Sequence, residues 1–247
     1  MAMHVYLKEN TSPKRKAINY VSYVALSCGL LLLFWAFYPV LSFELYSRFI
    51  LPKNMRSPLP ASSLASSISE AGAVLGSSNV FSSNLRDFTE AHLWFSGNAQ
   101  EQTRSTFSVN EYALTIPKLN ITKARVVVGG DDLTKSLVHY LPKTMPGEFG
   151  NVAIFGHSTL PQLYNEKDYK TIFTYLPSLE KGDKILIQVG DLEYEYEVYD
   201  MFVVNPDKIS VLDQQRDAAY LTLVTCVPPG TSWKRLVIKA RLTKLPE

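Results

Sequence analysis

The texture of hydrophobic and polar positions changes abruptly along this chain. No charged residue occurs between Lys16 and Glu44, and the run through Val24, Leu30, Leu33, Phe34, Trp35 and Phe37 is apolar on every side. It exceeds the roughly 20 residues needed to cross a bilayer. From about Tyr112 the pattern shortens into strand-sized runs closed by glycine and proline. Ala113–Ile116 stops at Pro117, Ala124–Val128 stops at Gly129-Gly130, and Val152–Phe155 follows Gly150-Asn151. Lys184–Val189 and Leu192–Tyr199 flank Gly190-Asp191 and read as a hairpin whose second member alternates acid and aromatic. Tyr220–Thr225 and Arg235–Leu242 are the last two strands. Short helical pieces fit Asp132–Tyr140, Tyr169–Leu179 and Ser210–Tyr220. Many short strands with turn signals between them predict a mainly β fold, a closed or nearly closed barrel preceded by one transmembrane helix.

The apolar run is longer than a signal-peptide core and is not closely followed by a small-residue cleavage site, which favours a retained anchor. Trp35, Tyr38 and Tyr46 suit the distal interface. Lys8, Lys14, Arg15 and Lys16 precede the span, whereas Arg48, Lys53 and Arg56 follow it, a mild bias toward a cytoplasmic N-terminus. The expected organisation is a cytoplasmic N-terminus over 1–16, a membrane anchor over 17–43, a tether and pre-domain segment over 44–107, and an extracytoplasmic domain over 108–247. Ser57–Asn79 is rich in serine, alanine and proline, as flexible tethers are. Leu85–Phe95 carries Phe88, Leu93, Trp94 and Phe95 and fits either packing on the domain or lying at the membrane surface.

Composition narrows the function. Over 247 residues, 46% hydrophobic and 19% charged content supports a packed core, and a net charge of +2 without a basic block past the N-terminus argues against nucleic acid. The chain has two cysteines, and Cys28 lies inside the apolar run, so Cys226 is expected to be a free thiol. A free cysteine is often no more than a small buried hydrophobe. Cys226, however, ends the β-branched run Leu221–Thr225, and Arg235 opens the next run after a short turn. If those strands pair, a guanidinium lies beside a thiol, where it can hydrogen-bond a developing oxyanion. A thiol nucleophile also needs a group that takes its proton. Of the four histidines, His157 has the best context, at the tip of Val152–Gly156. His139 fits ordinary packing. No cysteine or histidine spacing suits zinc, and Glu166 and Asp168 read as solvated loop acids more readily than as a calcium site.

These segments resemble a known family, the sortases, over roughly Tyr112–Leu242. Thr222–Cys226 is similar to the family's cysteine strand, Arg235–Ala240 to its arginine strand and Asn151–His157 to its histidine strand. Ile116–Ile121 and the stretch from Leu141-Pro142 to Met145–Glu148 are also similar to family segments. The resemblance implies an eight-stranded β-barrel and a membrane-anchored cysteine transpeptidase, a thiol-peptidase type of hydrolase. It implies Cys226 as nucleophile, His157 as general acid and base, Arg235 as stabiliser of oxyanion and peptide, and Thr225 as a lesser contributor to the oxyanion site. Its substrates would be secreted surface proteins with a C-terminal Leu-Pro-x-Thr-Gly-like sorting motif. The acceptor would be an amine of a cell-wall precursor or a pilin, with no cofactor required and calcium unsupported. Asn205–Tyr220 would shape motif selectivity. The absence of an Asp-Pro-aromatic motif before Tyr112, and of an apolar span after Leu242, departs from the pilus-polymerising pattern. The alternatives are another cell-envelope cysteine peptidase or transpeptidase, of L,D-transpeptidase-like or papain-like kind, and a non-catalytic tethered β-barrel binding module. The former lacks its Ser-x-Gly-Cys turn here, and papain-like enzymes place cysteine before histidine.

Overall fold

A computed structural model describes residues 13–49, 89–95 and 109–245. The chain divides into two compact units, at Ser42 and Phe43. The first contains most of a single long helix, α1 (Pro13–Phe49), within which Ile18–Tyr38 has a mean hydropathy of 1.9 and none of its window buried in protein. That stretch is long and apolar enough to cross a membrane. The expected tether at 57–79 lies outside the described residues.

The second unit is a closed barrel of eight strands. They are β1 (Glu111–Ile116), β2 (Ile121–Val128), β3 (Leu137–His139), β4 (Gly150–Phe155), β5 (Lys184–Val189), β6 (Leu192–Val204), β7 (Ala219–Val227) and β8 (Lys234–Lys244). Around the barrel the order is β1-β2-β3-β4-β7-β8-β6-β5. Pairing is antiparallel except for β2 with β3 and β4 with β7. The barrel expected from the strand pattern is what the chain forms, and the β5–β6 hairpin turns at Gly190 with φ of 59°, a left-handed conformation that glycine adopts without strain.

Side-chain alternation sorts the central strands into two cores. Ile154 of β4, Leu221 and Leu223 of β7, and Leu236 and Ile238 of β8 fill the barrel interior. Phe155, Val224, Cys226 and Val237 face outward, yet they too are buried, in a second cluster with Trp94, Phe95 and Val211. Burial on both faces explains why β4 and β7 read as continuous apolar runs rather than alternating ones. Each fully buried large apolar side chain contributes about 1.5–3 kcal/mol, so the interior supplies most of the stability.

The helical expectations fare worse. Asp132–Tyr140 contains strand β3 instead of a helix, because Leu137–His139 pairs with β2 on one side and β4 on the other. Three residues cannot express a period, and tertiary pairing decides their conformation. Tyr169–Leu179 forms successive turns and a 3-10 turn at Leu176–Ser178, where Pro177 interrupts any longer helix. Only Ile209–Leu212 takes a 3-10 turn in the last segment, and β7 begins at Ala219.

Gly156 ends β4 where the barrel has no room for a side chain. An added Cβ would lie 2.5 Å from both Leu137 Cδ2 and Phe173 Cδ2. Gly156→Ala is therefore expected to lower the unfolding free energy by about 1–3 kcal/mol through overpacking. Urea unfolding checks this, and an unchanged midpoint would contradict the packing described.

Candidate functional site

Strand register builds the site. β7 and β8 pair with Cys226 opposite Arg235, Val224 opposite Val237, and Thr222 opposite Lys239. β4 lies on the other side of β7, with Phe155 beside Val224 and Ala153 beside Thr222. Residues two apart on a strand share a face. The outer surface of these strands therefore carries successive rows, Ala153–Thr222–Lys239 and then Phe155–Val224–Val237. His157 continues the β4 row by one step and reaches the level of Cys226 and Arg235. Three hydrogen bonds hold this end of β4 against β7. Gly156 N–H donates to the Val224 carbonyl (3.2 Å), Thr225 Oγ1 to the Gly156 carbonyl (2.8 Å), and Ser158 Oγ to the Cys226 carbonyl (2.6 Å).

The structure thus brings together Cys226, His157 and Arg235. It does not add the Thr225 hydroxyl. Thr225 lies on the opposite face of β7 from Cys226, and its hydroxyl is committed to Gly156. Any part it plays at the site runs through its backbone. His139 packs with Tyr112, edge to face with ring centroids 5.8 Å apart, on a different face from the Cys226 row.

Burial dominates the electrostatics. Cys226, His157 and Arg235 are 6%, 9% and 4% exposed. Burial raises the Cys226 thiol above its ordinary range, and the nearby Arg235 charge opposes this only in part. Burial lowers His157 to about 4, with Asp132 the first of the opposing charges. Its Nε2 is buried and has no hydrogen-bond partner among the described residues. Both shifts favour neutral thiol and neutral imidazole.

What covers the site was not assigned from sequence. Residues 89–95 cross over it as a strap. Trp94 stacks on Phe155 (centroids 5.5 Å, planes 17° apart) and tilts against His157 at 5.5 Å. The Arg235 Cζ sits 5.4 Å from the Trp94 ring centroid, and Arg235 Nε donates to the Trp94 carbonyl at 3.0 Å. Arg235 Nη1 donates to the carbonyls of Ser232 and Lys234. Of the two placements left open for Leu85–Phe95, packing on the domain is the one observed for its described residues, 89–95. The sequence signal was the aromatic pair Trp94-Phe95.

The β6–β7 connection forms a neighbouring wall, with Val211 buried in the same outer cluster. Lys239 secures it. Its Nζ donates to the Val211 carbonyl (2.6 Å) and to Thr222 Oγ1 (2.8 Å), and Thr222 in turn donates to Asn151 Oδ1 (2.6 Å). Asn151 Nδ2 donates to the Asp213 carbonyl, and Gln214 exchanges hydrogen bonds with the Asn151 backbone. Burial lowers the Lys239 ammonium to about 8, opposed by Asp213. A lysine inside Leu236–Ala240 was the overlooked clue, since a charge in a run buried on both faces needs partners.

Among the described residues, Glu90, His92 and Asp131 are the group whose side-chain atoms could share a metal ion. Hydrogen bonds already account for Asp131: Oδ1 accepts the His92 backbone N–H at 2.9 Å, and Oδ2 lies 2.6 Å from His92 Nδ1.

Comparison with known proteins gives a family-model match, Sortase domain, over residues 114–243. The chain is 32% identical over 130 residues to Sortase D of Bacillus subtilis (strain 168), which covers 51% of this chain and 60% of that protein. It is 30% identical over 144 residues to Sortase A of Bacillus anthracis, covering 58% of this chain and 61% of that one. The matched part thus spans about 60% of the length of these relatives. A solved structure, the Sortase D5 transpeptidase of Clostridium perfringens, aligns with a TM-score of 0.48 at 26% identity, over 61% of this chain and 91% of that one.

The buried histidines set an acid limit on stability. His139 is held at about 3 and His157 at about 4, both lowered by burial from the usual 6.5. Between 6.5 and these values the unfolded chain binds protons that the folded chain refuses. Their contribution is complete above pH 6.5 and is lost as pH falls toward 4 and 3. The expected slope approaches about 1.4 kcal/mol per pH unit for each histidine. Urea unfolding between pH 7 and pH 5 measures it, and His139→Gln should flatten the profile by one histidine's share.

Proposed function

The chain belongs to the sortase family, and on that premise we propose that it is a membrane-anchored cysteine transpeptidase acting on surface proteins that carry a C-terminal sorting motif. The observation that carries this reading is the register pairing of Cys226 with Arg235, with His157 at the same level on the next strand. Covalent catalysis by a thiol needs these three kinds of group on one face: a nucleophile, a proton carrier and a cation for the oxyanion.

The proposed steps follow from the chemistry. Cys226 Sγ adds to the threonine carbonyl carbon of a Leu-Pro-x-Thr-Gly-like motif as its proton passes to His157. Arg235 stabilises the negative oxygen. The carbon–nitrogen bond breaks, His157 returns the proton to the departing glycine amine, and a thioester remains on Cys226. An acceptor amine from a cell-wall precursor or a second protein then attacks the thioester. Its proton passes to His157, the new amide leaves, and Cys226 recovers its thiol. Splitting acyl transfer into two steps lowers each barrier, and a positioned amine outcompetes water through orientation.

The same reading assigns 17–43 as the anchor and places the barrel outside the cytoplasm, supported by the apolar Ile18–Tyr38 stretch and the basic residues before it. The Val211 wall, fixed by Lys239, is the part of the β6–β7 connection suited to select the motif.

Cys226→Ala and His157→Ala are expected to abolish turnover of a sorting-motif peptide, and Arg235→Ala to reduce kcat/KM by about 100- to 1,000-fold. Mass spectrometry of the enzyme mixed with a peptide library should trap a mass increase on Cys226 and identify the motif. Turnover surviving in Cys226→Ala would overturn the mechanism.

A further inference from the structure

The β4–β7 ladder stops short of the reacting groups. Registered pairing ends with Phe155 beside Val224, two residues before His157 and Cys226. Just past it, Gly156 N–H still donates to the Val224 carbonyl at 3.2 Å. A regular parallel ladder would continue with Cys226 N–H donating to the Gly156 carbonyl and Ser158 N–H to the Cys226 carbonyl. Here hydroxyls reach both acceptors. Thr225 Oγ1 donates to the Gly156 carbonyl at 2.8 Å, and Ser158 Oγ to the Cys226 carbonyl at 2.6 Å. A hydroxyl reaches out from its chain, so the two backbones stay tied without closing to the about 4.8 Å spacing of paired strands. Side chains, in place of a continued ladder, thus join the strand tips that carry imidazole and thiol.

The other side of the same segment is fixed to the turn at 171–174. The His157 carbonyl accepts Phe173 N–H at 2.9 Å, and Thr159 N–H donates to Thr174 Oγ1 at 3.0 Å. Thr174 Oγ1 in turn donates to the Thr171 carbonyl at 2.6 Å, and both Phe173 and Thr174 are buried. Residues 157–159 are therefore held between that turn and β7, and Ser158 supplies the hold on β7. The His157 ring is fixed differently. Its Nε2 is buried without a hydrogen-bond partner among the described residues, and it lies against the Trp94 ring. In many nucleophile–base pairs a third group aims the imidazole by a hydrogen bond. With no such bond at Nε2, the place of this ring depends on the backbone that carries it.

We propose that Ser158 is a positioning residue for the reaction: by donating to the Cys226 carbonyl it carries the hold of β7 on β4 past the end of the ladder and sets the place of the His157 imidazole relative to the Cys226 thiol. The inference rests on the reading of Cys226 and His157 as the reacting pair. In that reading a proton leaves Sγ for the imidazole as the thiol adds to a carbonyl carbon. The Ser158 bond runs from the residue after the base to the carbonyl of the nucleophile, so it ties the two main chains where that proton moves. Thr225 ties Gly156 in the same manner, one step nearer the ladder. A displacement of about 1 Å between reacting groups can cost about 100-fold in rate. Ser158 stays outside the path of the proton and acts through His157 and Cys226.

The test uses the full chain in detergent micelles, carrying Cys28→Ser so that alkylation reports Cys226 alone. Ser158→Ala is expected to lower kcat for a sorting-motif peptide by about 10- to 100-fold with KM held within about twofold, the pattern of an interaction lost in the transition state. Ser158→Thr keeps a hydroxyl donor and should restore kcat to within about threefold of wild type. The pH profile of Cys226 alkylation by iodoacetamide gives a reading that needs no peptide. Besides burial, the charges acting on the pair are Asp132, Lys170 and Asp168 at His157 and Arg235 at Cys226, and Ser158→Ala leaves all of them in place. Its profile should nevertheless move to that of His157→Ala, because the imidazole no longer meets the thiol, whereas Ser158→Thr should keep the wild-type profile. Urea unfolding of each variant establishes that it is folded in the assay. A wild-type alkylation profile in Ser158→Ala would overturn the inference, as would a wild-type kcat or a loss that Ser158→Thr shares in full. A shifted profile in Ser158→Ala, with no peptide turnover by the wild-type chain, would uphold the positioning role and refute the transpeptidase reading.

Discussion

The pairing of β7 with β8 in one register places Cys226 opposite Arg235, and the arrangement of the site depends on it. A slip of one residue would send either side chain to the other face of its strand. The register is held from both directions: Leu223 and Ile238 are locked inside the barrel, while Val224 and Val237 are buried outside it. β7 also pairs in parallel with β4, so the same constraint extends to His157. The site is accurate because β4, β7 and the first half of β8 are buried on both faces and have no solvated side along which to shift.

That two-sided burial has an electrostatic cost, and the chain meets it in different ways. Arg235 is satisfied by backbone carbonyls and by the Trp94 ring. Lys239, two rows along the same strand, is satisfied by a carbonyl and a hydroxyl. His157 and Cys226 instead lose their tendency to ionise. A polar group left in an apolar setting either finds partners or becomes neutral, and this surface uses both solutions within a few ångströms of strand.

Much of this was legible in the sequence, for identifiable reasons. Strands such as Lys184–Val189 and Leu192–Tyr199 announce themselves by period and by the intervening Gly190. The pairing of Cys226 with Arg235 followed from two strand-like runs separated by a short turn. Leu137–His139 was missed because a three-residue strand has no period to read. Thr225 was assigned to the oxyanion site by resemblance alone, and alternation turns its hydroxyl to the face opposite Cys226. Trp94 could not be placed because its partner Arg235 lies 141 residues away. Lys239 left a trace in the sequence, a charge in an apolar run, but its partners belong to other segments.

The parallel neighbours β4 and β7 carry a further consequence. Parallel strands cannot be joined by a tight turn, and the contacts that unite this surface span 68, 69 and 141 residues of chain. Long loops must close before such pairs can form, which makes them late and cooperative events in folding. No fragment of the chain, and no partly folded intermediate with an open barrel, can hold thiol, imidazole and guanidinium together. The topology thus ties the meeting of these three groups to completion: they share one surface only once the chain has become a barrel.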